Sequence, residues 1–172
     1  MIKLTKKDRN FKSVYWLTEI TKKNDQRDHI KTIKVESGVA VKTDGHRLHA
    51  VVVNVPDGYY EINKRTKSEI VLNEVDEVTW PDWEHIFSDC RPDLPTFSFY
   101  CGDDPGQETA KFFIDLAKAT ENTPFINGTF VSQTITGFLN NEVFVTATDS
   151  NHPVFIYDEN YDRVAAIMPF LR

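Results

Sequence analysis

The sequence predicts an α+β fold in which one unit of helix and strands occurs twice. Residues 7–24 and 107–121 carry apolar side chains at helical spacing. Short segments with strand-like alternation, separated by turn residues, fill much of the remaining chain. Because the two halves run in the same order of helix, strand, strand, turn and strand, we expect two similar units of packed helix and sheet.

The two predicted helices are amphipathic. In a helix of 3.6 residues per turn over 7–24, one face carries Phe11, Val14, Leu17 and Thr18. The opposite face of this helix carries Arg9, Lys12 and Lys23, with Trp16 among them. In residues 107–121 the apolar face holds Phe112, Phe113, Leu116 and Thr120, and the polar face holds Lys111, Asp115 and Lys118.

Strands are predicted wherever apolar alternation lies between turn signals. These segments are 31–36, 38–43, 47–54, 59–63, 69–72, 97–101, 129–138, 142–148, 153–157 and 163–168. Residues 80–96 contain three prolines and predict a connector. The expected organisation is a single domain over 1–172, with repeat one at 1–79, the connector at 80–96 and repeat two at 97–172.

The two halves also resemble each other in amino-acid sequence. VAVKTDGHRLHAVVV at 39–53 aligns with VFVTATDSNHPVFIY at 143–157, and both place Thr-Asp at a turn with His shortly after. Duplication of one supersecondary unit, with the copies related by a pseudo-twofold axis, explains this match. Chance similarity between common Thr-Asp turns is the alternative.

Charge is distributed unevenly along the chain. The net charge is −6, yet residues 1–70 hold 15 Lys and Arg against 9 Asp and Glu. Residues 71–172 hold 5 against 17. This pattern favours one basic surface on an acidic body; random segregation of surface charge is the other interpretation.

Several classes of protein are disfavoured by the sequence. Apolar runs such as AVVV at 50–53 are too short to span a bilayer, and the N-terminal ten residues lack the apolar stretch of a secretory signal. Cys90 and Cys101 match no metal or disulfide pattern, so we expect a reduced, cytoplasmic protein. The pairs Asp44 with His46 and Asp149 with His152 are too small for metal sites, and no catalytic motif occurs. We therefore expect no enzyme activity, cofactor, metal or membrane partner.

Three motifs carry a resemblance to a known family. TDGHRL at 43–48, between two apolar strands, resembles the signature hairpin of the middle domain of the bacterial DNA polymerase III beta sliding clamp. WPDW at 80–83 is similar to that clamp's Phe-Pro-Asp-Tyr segment, and MPFLR at 168–172 is similar to its terminal Met-Pro-Met-Arg-Leu. The motifs occur in family order, although the last two residues stand in exchanged order.

The resemblance implies a DNA clamp-like fold with two βαβββ-type repeats, whose two helices pack on antiparallel sheets. A family clamp has three domains, each built from two such repeats, and this chain has enough for one. In the family, helices line a central hole and touch the DNA backbone without reading its bases. The resemblance thus implies weak contact with double-stranded DNA through Arg9, Lys12, Lys23, Lys111 and Lys118; ordinary solvated helix faces are the alternative interpretation of these cations.

A second implied function is the docking of clamp-binding peptides from polymerase or repair proteins. The resemblance maps this pocket onto Thr43, Gly45, His46, Arg47 and Leu48 of the hairpin and onto Ala166, Met168, Pro169 and Phe170 of the tail. A flexible Met and an aromatic ring offer adaptable apolar surface, and a nearby cation can hold a carbonyl or carboxylate. A hairpin turn facing water and a strand end closing the core are the plain structural alternatives.

Two functions from different classes follow. The first is a replication processivity factor, a ring assembled from several copies of the chain by pairing of edge strands. The second is a monomeric clamp-like binding module or clamp mimic that does not encircle DNA. A clamp fold with a different role is a third possibility.

Overall fold

The structure is a computed structural model that describes residues 1–20, 25–88, 90 and 95–170. The chain forms two compact units, Met1–Asp82 (unit 1) and Trp83–Arg172 (unit 2). Each unit packs helices on an antiparallel sheet, which confirms the predicted α+β class. No helix within the described ranges combines the length and the apolar character needed to cross a bilayer.

The described residues of unit 1 form six strands and two short helices. In chain order its elements are β1 (Ile2–Thr5), α1 (Phe11–Leu17), α2 (Asp28–Lys31), β2 (Thr32–Glu36), β3 (Val39–Thr43), β4 (Arg47–Val52), β5 (Gly58–Arg65) and β6 (Glu69–Val75). The strands lie in the order β1-β6-β5-β2-β3-β4, each antiparallel to its neighbour. A tight turn with positive φ at Ser37 and Gly38 joins β2 to β3, as hairpins of two-residue loops require.

Helix α1 covers one face of this sheet. Phe11, Val14 and Leu17 are buried against strands β3, β4 and β6. Asn10, just before the helix, uses its side chain to bond the backbone of Asn54 in both directions, at 2.9 and 3.0 Å. These bonds fix the start of α1 beside the end of β4.

In unit 2, four strands and three helices are formed by the residues that the structure describes. Its elements are α3 (Trp83–Phe87), β7 (Phe97–Cys101), α4 (Pro105–Ala119), α5 (Gly128–Ile135), β8 (Asn141–Thr146), β9 (Val154–Tyr157) and β10 (Arg163–Ile167). The strand order is β10-β9-β8-β7, antiparallel throughout. Asp104 caps α4 by accepting bonds from the N–H groups of Gly106 and Gln107, and Asn127 caps α5 in the same way through Thr129.

The core of unit 2 lies between its helices and its sheet. Phe112 and Leu116 of α4 and Val131 and Ile135 of α5 are fully buried. The two helices pack on each other, and α5 also contacts β10. Burial of this apolar area is the main source of stability for the unit.

The two units share the order strand, helical segment and three strands. In unit 1 this series is β1, α1, β2, β3 and β4; in unit 2 it is β7, α4 with α5, β8, β9 and β10. Unit 1 differs because the β5–β6 hairpin lies between β1 and β2 in its sheet. The two βαβββ-type repeats are therefore confirmed, with one inserted hairpin.

The matched Thr-Asp turns are not equivalent in these series. The turn at 43–46 joins the third strand of unit 1 to its fourth, whereas the turn at 148–152 joins the second strand of unit 2 to its third. The alignment of 39–53 with 143–157 is therefore displaced by one strand. Thr-Asp occurs in both because a short Asp side chain suits either turn.

Several predicted elements are corrected by the structure. The first helix is shorter than 7–24, since α1 ends at Leu17 and residues 21–24 lie outside the described part of the chain. The strand predicted at 129–138 is wrong, because this segment forms α5. Strand β1 was not predicted, and the connector at 80–96 contains α3. Trp16 is also misplaced by the helical wheel: it is buried and stacks on His49, with ring centroids 4.1 Å apart.

Candidate functional site

The turn between β3 and β4 is held together by Asp44. Its Oδ1 accepts the N–H groups of His46 and Arg47 at 3.0 and 3.1 Å, and its Oδ2 accepts Arg47 Nε at 3.0 Å. Thr43 Oγ1 donates to the Arg47 carbonyl at 2.7 Å and accepts the Gly45 N–H at 3.0 Å. The positive φ of Gly45, +86°, closes the turn.

These hydrogen bonds determine which side chains of the turn are exposed to a ligand. Thr43, Arg47 and Leu48 are buried, while Gly45 and His46 are exposed. The guanidinium of Arg47 is engaged by Asp44 and also reaches the Glu19 carbonyl at 3.5 Å. Burial lowers the pKa of Arg47 and the Asp44 carboxylate opposes that shift, so Arg47 stabilises the turn in unit 1 as a buried ion pair.

The predicted tail residues belong to unit 2 and divide into buried and exposed members. Ala166 lies in β10 and is buried, as is Pro169, so both contribute to the core. Met168 and Phe170 expose 42% and 45% of their surface. Large apolar side chains that are exposed close together on one segment are typical of surfaces that contact a partner.

Phe170 packs against an aromatic residue, Phe125, that no sequence pattern singled out. Its N–H donates to the Phe125 carbonyl at 2.8 Å, and the two rings lie 5.9 Å apart at an angle of 52°. Phe125 itself is 57% exposed. The tail is thus held against the segment that follows α4, and both rings remain open to solvent.

Beside these rings lies a cleft of about 540 Å³, which we call the tail cleft. Its lining residues are Glu121, Asn122, Thr123, Phe125, Ser150, Asn151 and Phe170. A neighbouring hollow of about 280 Å³ shares Glu121 and Asn122 and extends to Thr148 and Asp149. All of these residues belong to unit 2, so this candidate site is formed by one unit alone.

The loop between β8 and β9 forms one wall of the cleft and is stabilised by Asp149. Its carboxylate accepts the N–H groups of Asn151 and His152, at 2.7 and 3.1 Å, and lies 2.8 Å from His152 Nδ1. The hydrogen bond to the His152 side chain is the largest cause that lowers the pKa of Asp149. Across the described part of the chain, no three His, Cys, Asp or Glu side chains are grouped as a metal site requires.

The predicted DNA-facing cations differ in their surroundings. Arg9 and Lys12, at the start of α1, are exposed. On α4, Lys111 donates to the Tyr100 carbonyl at 3.0 Å and lies over the Phe99 ring, and Lys118 is 3.6 Å from Asp115. Lys23 lies outside the described residues.

Further cations cluster at the β5–β6 hairpin, which sequence reasoning did not select. Lys64 and Lys3 both pair with Glu69, at 2.8 and 2.9 Å, and Lys67 is exposed in the turn. The sequence KRTK at 64–67 was the available signal. Since Thr5 of β1 is paired with Glu69, the chain leaves β1 toward Lys6 beside this same turn.

Sequence patterns also missed a buried Lys in β3. Lys42 in β3 is 2% exposed, and its Nζ donates to the Ile30 carbonyl at 2.9 Å and to those of Lys31 and Thr32 at 3.4 Å. Burial lowers the pKa of Lys42 to about 8, against the opposing fields of Asp44 and Glu61. Nothing in an alternating strand sequence marks such a Lys as buried.

The cysteines are both free thiols. Cys101 is buried in β7, Cys90 is half-buried, and burial raises the pKa of each to about 11. Both therefore remain protonated at neutral pH, and a protonated thiol is a poor nucleophile.

Comparison of the sequence with known proteins gives no match, either to a family model or to a curated protein. Comparison of the structure is informative. The beta chain of DNA polymerase III from Streptococcus pneumoniae superimposes with a TM-score of 0.63 at 13% identity, covering 99% of this chain and 64% of that one. The beta subunits from Pseudomonas aeruginosa and Thermotoga maritima give TM-scores of 0.59 and 0.61 at 14% and 11% identity.

These likenesses show that the chain has the fold of the bacterial beta sliding clamps. They cover 99% of this chain in each case and 66% and 65% of the Pseudomonas and Thermotoga chains. The protein therefore spans slightly less than two thirds of the length of these clamps.

Proposed function

We propose that this chain is a non-catalytic, sliding-clamp-like accessory protein of DNA replication in the cytoplasm, which docks short peptides of polymerase or repair proteins at its C-terminal tail. One observation carries the proposal: Phe125 and Phe170 line the tail cleft with exposed rings, and Met168, two residues before Phe170, is exposed as well, in a protein with the beta-clamp fold. Exposed aromatic and Met side chains beside a concave surface are typical of peptide-binding sites.

The proposed pocket uses the tail more than the hairpin. Met168 and Phe170 can lose a large apolar area to a ligand, whereas Thr43, Arg47 and Leu48 have little area left to lose. Among the hairpin residues, Gly45 and His46 are the exposed ones. Ala166 and Pro169 act by holding the exposed tail residues in place.

Peptide binding tests this proposal. A labelled peptide with clamp-type apolar anchors is titrated by fluorescence anisotropy against the wild-type protein, Met168→Ala and Phe170→Ala. Each truncation removes an exposed contact, so we expect about tenfold weaker binding with unchanged thermal stability. Tyr100→Ala is the matched control, because Tyr100 is an aromatic residue of unit 2 that is 60% exposed and outside the cleft. Negligible binding by the wild type would refute the docking function.

We also propose weak, sequence-independent contact with double-stranded DNA through the exposed cations of the helices. Arg9, Lys12, Lys111 and Lys118, with Lys23, are the candidates, and Lys64 and Lys67 add to the basic charge of unit 1. Phosphate contacts release counterions from DNA, and added salt reduces the free energy gained from this release. Binding through such contacts therefore weakens steeply as the salt concentration rises. We expect Lys12→Glu to weaken binding and the control Lys31→Glu, in the ion pair with Asp28, to change it little. Affinity that does not vary with salt would contradict this contact.

Assembly distinguishes a ring from a monomeric binding module. Strand β1 ends the sheet of unit 1 and β7 ends the sheet of unit 2, so both present backbone groups to which a strand of a second copy can pair. Light scattering after size-exclusion chromatography measures the mass directly. A large closed oligomer supports a processivity ring, and a monomer at high concentration supports the module or clamp mimic.

A further inference from the structure

The tail cleft combines two features that the docking proposal does not by itself explain. The first is an aromatic pair whose geometry is fixed before any ligand arrives. The backbone hydrogen bond from Phe170 N–H to the Phe125 carbonyl joins the two segments, and the contact between the rings places both side chains together in the lining of the cleft. Fixed, exposed ring faces lose little conformational entropy on binding.

The second feature is the charge of the walls. Among the described lining residues of the cleft and its neighbouring hollow, the ionisable side chains are the carboxylates of Glu121 and Asp149. The remaining polar lining consists of neutral amides and hydroxyls, such as Asn122, Thr123 and Ser150. Unit 2 lies in the acidic part of the sequence, since residues 71–172 hold 17 Asp and Glu against 5 Lys and Arg.

Carboxylates beside aromatic faces select for cations. A Lys or Arg side chain gains from the negative face of a ring and from a charge-assisted hydrogen bond to a carboxylate. A phosphate or an acidic peptide meets like charge in the same place, which opposes binding. A purely apolar peptide would use the rings and leave the carboxylates without a partner from the ligand.

We propose that the tail cleft recognises a peptide segment in which a Lys or Arg side chain stands next to the apolar anchor. The cation lies over one ring of the Phe125–Phe170 pair and points to Glu121, while the apolar anchor packs on the other ring. This inference rests on the proposed docking function and specifies the chemistry of its partner. The preference for a cation follows from the Glu121 and Asp149 carboxylates that line the cleft and its neighbouring hollow.

Three labelled peptides with one apolar anchor sequence test the inference. One carries Lys and Arg beside the anchor, one carries neutral Gln and one carries Glu. We expect the basic peptide to bind about five- to tenfold more tightly than the neutral peptide, and the acidic peptide to bind more weakly than either. The advantage of the basic peptide should shrink as salt concentration rises.

Variants separate the charge preference from docking itself. Glu121→Gln should remove most of the advantage of the basic peptide, leaving only the part that the ring contributes, and should leave the affinity of the neutral peptide unchanged. Phe125→Ala should weaken both. The matched control is Glu159→Gln, which removes an exposed carboxylate outside the cleft and should alter neither affinity. Equal affinities for all three peptides would overturn the charge preference while leaving docking intact, whereas failure of all three to bind would overturn both proposals.

Discussion

The guanidinium carbon of Arg65 lies 4.1 Å from the centre of the Tyr15 ring, so the end of strand β5 is bound to helix α1 by a cation–π contact. Arg65 Nε also donates to Thr18 Oγ1 at 2.6 Å, and its Nη2 forms an ion pair with Glu19. One side chain of the sheet thus contacts Tyr15 in the last turn of α1 and the two residues Thr18 and Glu19 that follow the helix.

A β-bulge gives Arg65 this orientation. Ile62 is paired with Leu72 and Lys64 with Val71, so Asn63 is an extra residue without a partner in the register. Beyond the bulge, Arg65 is paired with Ile70 and shares its face of the sheet, which is buried at Ile70 and Leu72. Regular alternation from Ile62 would instead have put Lys64 on that face.

The first prediction concerns this contact. Arg65→Ala should lower the free energy of unfolding by about 1–2 kcal/mol, because it removes a partly exposed cation–π contact and two hydrogen-bonded partners. Urea denaturation measures the change. Lys67→Ala, in the exposed turn of the same hairpin, should change stability by less than about 0.5 kcal/mol. Deletion of Asn63 closes the bulge but keeps Arg65 opposite Ile70, so it should cost less than Arg65→Ala; a larger cost would contradict this account of the bulge.

The second prediction concerns the buried ion pair of the β3–β4 turn. Asp44→Ala leaves the Arg47 guanidinium buried without its carboxylate and removes two acceptors of backbone N–H groups. We expect a loss of about 3–5 kcal/mol in the free energy of unfolding. Asp149→Ala is the control, because Asp149 makes the same type of turn with exposed groups, and its loss should lower the free energy of unfolding much less than the loss of Asp44. Similar losses in the two variants would contradict the importance of burial.

The third prediction is a gain of stability in alkali from Lys42. Its pKa is about 8 in the folded protein and 10.5 without burial. Between these values the unfolded chain binds more protons, so the free energy of unfolding rises with pH by up to about 3 kcal/mol. Below pH 8 the cost of burying the charged ammonium is fully present. In Lys42→Met this rise should be absent, and the difference between the two unfolding curves from pH 7 to 10 measures it. Parallel dependences on pH would refute a titrating Lys42.

The fourth prediction is a loss of stability in acid from His49. This imidazole is fully buried against Trp16, and burial, assisted by the charge of Arg47, lowers its pKa well below 6.5. Below pH 6.5 the unfolded chain binds a proton that the folded chain does not, so stability falls as pH decreases toward the folded pKa. The slope is at most about 1.4 kcal/mol per pH unit. His49→Phe keeps an aromatic stack without a titrating group and should lose less stability between pH 6.5 and 5; an equal loss would contradict the prediction.

Sequence patterns located most strands but misjudged elements whose environment decides the conformation. Residues 129–138 contain Val131, Thr134 and Ile135, whose branched side chains favour strands. The same three residues are spaced as one helical face and are buried in the core of unit 2, so α5 forms instead. Burial in the core outweighed the local preference for a strand, and the sequence of this segment alone does not show that burial.

The candidate site was predicted only in part, because its walls come from segments that lie far apart in the sequence. Met168 and Phe170 were selected through the resemblance of the chain's last residues, but Phe125 and Glu121 lie more than forty positions earlier in the sequence. Only folding brings them beside the tail. Conversely, Arg47 looked available for a ligand until the structure showed it bonded to Asp44.

The sequence by itself predicted the α+β class and the two repeated units, because these depend on local periodicity and turn residues. The clamp-like fold was predicted through the family resemblance that three short motifs carry. Tertiary structure alone decided which polar side chains are buried and where apolar ones stay exposed. Lys42, His49 and Arg65 owe their surroundings to strand register and helix placement, and the tail cleft owes its walls to segments distant in the chain. Such properties arise from contacts between remote residues, which spacing along a sequence does not encode.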